Sequence, residues 1–353
     1  MEIYILDRNL NIVGVISTYD SILWTEKVHE PGNIKAVFVF TEKMNRILQR
    51  GYLLYKTDEL QPAVITRKTL KLNKYGQQTI TIQGYMVTRY FRQRIIWKKM
   101  IMKGTPEQMM RQMVQEQIIA PEDETRKIPL IELGDLQNFD MDEVEKQITY
   151  DNLQEALTDM SKTTELGYRL RLDYARKKLV FEVYRGTNRT QGTEHPCIFT
   201  RKFKNVFTQE YNEDEGNYKN VCLVGGPGED TDRVLVTVGS GAGLDRYEMF
   251  YNASGYSEDG ITAAVLQDQL RQKGLEKMSA YYIAKAFEVK INKEKAMKFD
   301  LGDYVTCKDT QWGITVDTQV KVIQKGYSKT EASYVITLGD DVPTLINLIK
   351  AKE

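Results

Sequence analysis

The sequence predicts an α+β, β-rich chain. Two similar small β-barrel-like domains flank an α+β insert, and the second carries a long helical insertion. Three observations lead there. Short apolar runs, several alternating with polar residues, fill both ends of the chain between Gly, Pro and Asn turns. Caps and helical spacing are concentrated in the middle and in one stretch near residue 270. Elements of the first part also recur, in order, in the last.

The elements follow one by one. Residues 2–6 and 12–16 flank Asp7-Arg8-Asn9 and read as a hairpin. Residues 21–40 read as two strands around a Pro31-Gly32-Asn33 turn, and 41–50 suits one or two helical turns. Strands follow in GYLLYK, PAVITRKTLKL and QTITIQG, with Asn73–Gly76 as a turn. The interleaved Arg and aromatic residues of 89–99 read as a strand with one solvated face or as a subunit interface. Thr105-Pro106-Glu107-Gln108 has the capping-box form with proline at the first helical position. Met109, Met110, Met113, Val114 and Ile118 then lie at helical spacing, a stripe that fills a core. A second helix runs from about 151 to 165, ended by Gly167, and a hairpin follows over 168–172 and 179–183. The longest helix spans 261–284 with Leu266, Leu270, Met278 and Tyr282 on one face, weakened at Gly274. Short strands at 287–292, 303–308, 314–323 and 333–338 precede a basic tail.

Residues 21–40 and 205–224 align without a gap. Glu26/Glu210, Gly32/Gly216, Asn33/Asn217, Lys35/Lys219 and Val37/Val221 are identical pairs. Residues 51–55, 63–66 and 79–84 recur as 302–306, 320–323 and 334–339. Two copies of one β-unit are expected, with Tyr218–Val224 as the second strand of the repeated hairpin. The boundaries read as a first barrel over 1–95, an α+β insert over 96–200, a second barrel over 201–225 plus 288–345, and an insertion over 226–287.

The chain has 353 residues and equal numbers, 49 each, of Lys+Arg and Asp+Glu. Global charge therefore gives no argument for nucleic-acid or membrane binding. Cys197, Cys222 and Cys307 are odd in number and far apart, with no disulfide or metal-thiolate spacing. The N-terminus lacks the pattern of an export signal, and no apolar run approaches the ~18–20 residues of a membrane helix. No catalytic, cofactor-binding or metal-ligating residue is selected. Gly225-Gly226-Pro227-Gly228 follows a strand, but no Lys-Ser/Thr completes a phosphate loop. Gly239-Ser-Gly241-Ala-Gly243 lacks dinucleotide spacing, so both clusters read as turns. Glu213-Asp214-Glu215 and Glu229-Asp230-Thr231-Asp232 read as solvated turns without calcium-loop spacing. The only histidines are His29, in a turn, and His195, beside Cys197 but without a C-x-x-C to complete a zinc site.

The order of many weak motifs carries a family resemblance. It includes IYILDRNLNIVGVISTYDSILWTEKVHEPGNIKAVF, GYLLYK, RQRIIWKK and DNLQEALTDMSKTTELGYRLRLD. It continues through VFEVYRGTNRT, YKNVCLVGGPGED, GLDRYEMFYNAS, LRQKGLEKM and LGDYV. The chain resembles the tail-tip hub, or tail-associated, proteins of siphophages and prophages over essentially its full length. The resemblance implies a non-enzymatic homotrimer, made without a signal peptide in the host cytoplasm and resident in the virion tail tip. Such a hub closes the tail tube, surrounds the DNA passage and meets distal tail, tube, tape-measure and fibre proteins. It needs no cofactor or metal. Many relatives carry a C-terminal extension with fibre or hydrolase activity; this sequence stops at Glu353, which leaves such roles to other subunits. The alternatives are a cell-wall hydrolase using a carboxylate pair, for which nothing selects a pair, and a carbohydrate-binding module, which the tyrosines permit.

Overall fold

The hairpin of β1 (Ile3–Leu6) and β2 (Ile12–Ile16) opens the fold. The computed structural model describes residues 2–256, 261–281, 283–292, 298–329 and 331–339. Tyr282, the basic tail and the 340–345 end of the second barrel's range lie outside the described residues. Asp7 closes the first turn by accepting the N–H groups of Asn9 and Asn11 at 2.8 and 2.9 Å. Next come β3 (Ser21–Lys27), β4 (Asn33–Val39), α1 (Glu42–Ile47), β5 (Leu53–Tyr55), β6 (Ala63–Leu72) and β7 (Gln78–Met86). They pair in the order β3-β4-β7-β6-β5-β1-β2. Alternation turns Ile22, Trp24, Ile34, Ala36, Phe38, Ile80 and Ile82 onto one buried core.

The insert contains β8 (Met100–Gly104), α2 (Pro106–Val114), β9 (Ile131–Leu133), β10 (Val144–Ile148), α3 (Leu153–Thr164), β11 (Gly167–Asp173) and β12 (Lys178–Tyr184). The Thr105–Gln108 capping box forms, and Met109, Met110, Met113, Val114 and Ile118 are all core. Two expectations change. Glu165, not Gly167, takes the left-handed conformation after α3, at φ 58°. Gly167 opens β11, where a Cβ would fall 2.2 Å from the Tyr184 ring. Residues 89–99 are not a strand: Val87–Gln93 is a 3-10 turn, and beyond it Ile95 makes one isolated bridge to Asn152. Phe91 drops into the core against Phe181, and that anchor breaks the extended path.

The last part contains β13 (Asn188–Arg189), β14 (Ile198–Phe199), β15 (Val206–Asp214), β16 (Val221–Gly225), β17 (Leu235–Gly239), β18 (Glu248–Asn252) and α4 (Ala263–Met278). It ends with β19 (Ala284–Ile291), β20 (Tyr304–Asp309), β21 (Ile314–Ser328) and β22 (Ala332–Gly339). Their order is β15-β19-β22-β21-β20, with β13 and β14 on the far side of β20. Strand for strand this repeats β3-β4-β7-β6-β5. The expected hairpin of 205–224 is not made: β15 pairs with β19, and β16 joins β17 and β18 in a separate sheet under α4. The insertion therefore begins directly after β15, and the counterpart of β4 is β19.

Hydrogen bonds fix the correspondence. Gly51 N–H donates to Ile65 O, and Ile65 N–H to Tyr52 O; Gly302 N–H donates to Val320 O, and Val320 N–H to Asp303 O. Both glycines have positive φ, 83° and 95°. A bulge then interrupts β6 between Ile65 and Arg67, and β21 between Val320 and Val322. Ile65 rather than Ala63 thus matches Val320. After its bulge β21 crosses to the first half and pairs antiparallel with β3, Val322 opposite Lys27 through Ser328 opposite Ser21. One continuous sheet joins the two barrel-like halves.

Gly274 serves packing. A Cβ there would lie 2.6 Å from Val224 Cγ2 and 2.8 Å from Val238 Cγ2, where α4 crosses its sheet. In an open helix Gly→Ala gains about 1 kcal/mol. Here Gly274→Ala is expected to lose about 1–3 kcal/mol through overpacking. Denaturant unfolding checks the sign.

Candidate functional site

The glycine-rich loop after β16 is filled by its own chain. Gly226 N–H donates to Val234 O at 2.7 Å, and Val234 N–H to Pro227 O at 2.9 Å. Arg233 donates to the carbonyls of Gly225 and Gly226 and to Asn252. A Cβ on Gly225 would meet that guanidinium at 2.6 Å. The loop is a turn stapled by arginine, with the Gly226 amide spent on Val234 O. The second cluster is organised by Asn220, whose side chain donates to Asp245 O and accepts from Tyr247 N–H.

His29 stands 2.8 Å from Ser161 Oγ, a pairing that superficially suggests nucleophilic catalysis. The direction of the bonds argues otherwise. Ser161 donates its proton to Leu166 O, so His29 Nδ1 donates to the serine and cannot act as its base. Ser161 is fully buried. Burial, with Lys321 and Lys162 nearby, pushes the imidazole down to about 3. Tyr168 caps the same turn by donating to His29 O. The pair ties the first half to α3. His195 is exposed, while Cys197, Cys222 and Cys307 are buried thiols. Burial pushes Cys197 and Cys307 up to about 12, so neither is a ready nucleophile. Glu213 lies at the end of β15, and Glu229 precedes a 3-10 turn formed by Asp230–Asp232. No metal-binding group of three such side chains occurs among the described residues.

The basic-aromatic stretch is spent on internal packing. Arg94 Nε donates to Arg126 O at 2.7 Å, and the Arg126 guanidinium lies over Trp97, 5.3 Å from its centroid. Only Trp97, 59% exposed, offers a broad aromatic face outward.

Two buried ionic clusters escaped the sequence reading, because their members are far apart in the chain. The first sits where β21 meets β3. Lys325 Nζ reaches Glu26 at 2.9 Å and Glu59 at 2.6 Å, and Lys56 bonds Glu59 from the other side at 3.3 Å. Two carboxylates facing one ammonium could suggest a hydrolase pair, but both are engaged by lysines, and the Lys325–Glu26 bond fastens β21 to β3. Burial above all, then the charge of Glu59, outweighs Lys325 and holds Glu26 up at about 7. Lys325 itself is held up at about 12 by the two carboxylates, against its burial.

The second cluster docks α4 onto the insert. Lys273 sits 3.3 Å from both Glu276 and Asp151, Lys146 on β10 bonds Glu276, and Lys277 bonds Asp159 on α3. Burial alone would raise the Glu276 carboxyl, but Lys146 and Lys273 bring it to about 2. Tyr256 adds a bond to Gln147 O at 2.8 Å.

Residues 2–340 match the family described as Siphovirus ReqiPepy6 Gp37-like protein. The chain belongs to this family. Its fold is that of phage tail proteins. A tail protein from Neisseria meningitidis MC58 aligns over 96% of both chains with TM-score 0.57 at 11% identity. Prophage tail protein gp18 from Listeria monocytogenes EGD-e aligns over 99% of this chain and 98% of that one, with TM-score 0.55 at 15% identity. The 43 kDa tail protein of prophage MuSo2 from Shewanella oneidensis aligns over 96% and 98%, with TM-score 0.56 at 10% identity. No curated protein matches significantly. The family and fold are thus those of structural tail proteins. Among the described residues no helix is long and apolar enough to cross a membrane.

Two outcomes follow from the ionic clusters. The raised pKa of Glu26 gives stability that is complete below 4.5 and lost as pH rises through about 7. Glu26→Gln, which needs no proton, should therefore gain on wild type by a few degrees in Tm toward pH 8 and not at pH 4.5; melting curves across that window read the difference. Glu276→Gln leaves Lys146 and Lys273 buried against a neutral amide and should cost about 3–5 kcal/mol. Limited proteolysis should then release the 215–283 segment first.

Proposed function

We propose that the chain is a structural subunit of a phage or prophage tail tip, three copies of which form a hub that closes the tail tube around a passage for DNA. The observation that carries this reading is the edge-to-edge joining of two like halves through β21 and β3. Three such chains offer six similar barrel-like units, which lets a threefold hub meet a sixfold tube. Family membership over residues 2–340 and the shared fold support it.

In this reading the chain works by shape, without catalysis, cofactor or metal. It sits in the virion, and its neighbours are distal tail, tube, tape-measure and fibre proteins. Its formal charge of zero fits a conduit that must not hold DNA in transit. The test is mass in solution, alone and with tube and distal tail protein. Three copies per particle are expected. A chain that stays monomeric at high concentration with both partners present would sink the proposal.

A further inference from the structure

The duplication leaves one join made and its equivalent open. The made join is β21 with β3. By the shared bulge and strand order, the counterpart of β21 is β6, and that of β3 is β15. Past its bulge, β6 pairs with β7 on one side, and among the described residues nothing pairs with its other edge. β15 pairs with β19 and likewise has one open edge. Both edges are accessible: Leu70 is 54%, Leu72 64% and Phe207 61% exposed.

The register of the open join can be read from the made one. Ile65 faces Gly84 as Val320 faces Leu338, so Arg67 takes the place of Val322. Trp24 faces Ile34, which faces Gly84; Tyr211 faces Phe287, which faces Leu338. Tyr211 therefore takes the place of Trp24. Since Val322 lies opposite Lys27 and Lys325 opposite Trp24, Arg67 falls opposite Asp214 and Leu70 opposite Tyr211. Between and beyond them, Lys68 meets Glu213 and Lys71 meets Glu210. All three cations of the β6 edge thus face carboxylates, and a slip of one residue either way breaks at least one pair. Opposite charges directly across a strand pair stabilise it, and like charges oppose it.

We propose that the open edge of β6 in one copy pairs antiparallel with the open edge of β15 in a second copy, in this register, carrying the sheet from chain to chain. The contact is head to tail, which gives a ring where the rotation between copies closes and an open filament where it does not. It rests on the hub reading only for the number of copies that close that ring. Lysines on an edge strand ordinarily keep monomers apart. Here the facing edge carries the matching acids.

The test uses full-length chains with one new cysteine each, Thr69→Cys and Asn212→Cys. Residues directly opposite in such a pair lie about 4.5–5.5 Å apart at Cα, within disulfide reach. The three native thiols are buried. Mild oxidation of the mixture should give a linked pair containing one of each variant. Neither variant alone should link, and Thr69→Cys with Thr208→Cys should link about tenfold less. In a second arm, Lys71→Glu or Glu210→Lys alone should weaken self-association about tenfold, and the two together in one chain should restore it. Circular dichroism confirms that these surface variants fold. Trimers that assemble without the 69–212 link, or without the charge-swap rescue, overturn this pairing and leave the hub standing. Chains that remain monomeric even with tube and distal tail protein overturn both.

Discussion

The pairing of β21 with β3 is the constraint on which the rest depends. It closes contacts between residues 299 positions apart, such as Gln324 with Thr25 and Lys325 with Glu26. Closing so long a loop costs chain entropy that grows only slowly with length. Seven facing pairs and a part-buried lysine between two glutamates can offset it once each half has formed its own core. Such non-local pairing is slow to find. The two halves are therefore expected to fold first and zip together afterwards.

Around this seam α3 acts as a common anchor. Its Ser161 holds the His29 turn of the first half, and its Asp159 holds Lys277 of α4. The residue that caps it, Glu165, accepts the Tyr304 hydroxyl of the second half. Leu6, Leu10 and Leu53 of the first half share a core with α2 and α3. The insert is thus packed into the frame rather than hung from it. The Asp159–Lys277 pair is part-buried, so removing one partner costs more than breaking a fully exposed pair would.

Local features were legible in the sequence. The Asp7 turn, the Thr105 box, the methionine stripe and the alternating strands are each set by residues within one or two turns of chain. The repeat was legible as an order of elements, and Gly51 and Gly302 were matched correctly because each needs a left-handed backbone at one place. Partner choice was not legible. Identities between 21–40 and 205–224 suggested a second hairpin, but β15 finds β19 some seventy residues on, because the intervening segment has its own core in Cys222, Val224, Val236 and Leu270. Residues 89–99 misled because their alternation hides Phe91, whose burial decides the path. The ionic clusters were invisible, since sequence charge says nothing of which lysine will sit between which acids.

The place where the long segment enters has a further consequence. Asp214 and Ala284 face each other across β15 and β19, so residues 215–283 leave and return through adjacent rungs of one ladder. The equivalent hairpin in the first half closes with only 28–32 between its strands. An excursion of nearly seventy residues therefore adds nothing to the barrel and takes nothing from it. Such a doorway lets one half of a duplicated scaffold carry an extra module while the other closes the same ladder with a short turn. The two copies can differ in what hangs from this rung while the ladder that defines them stays the same.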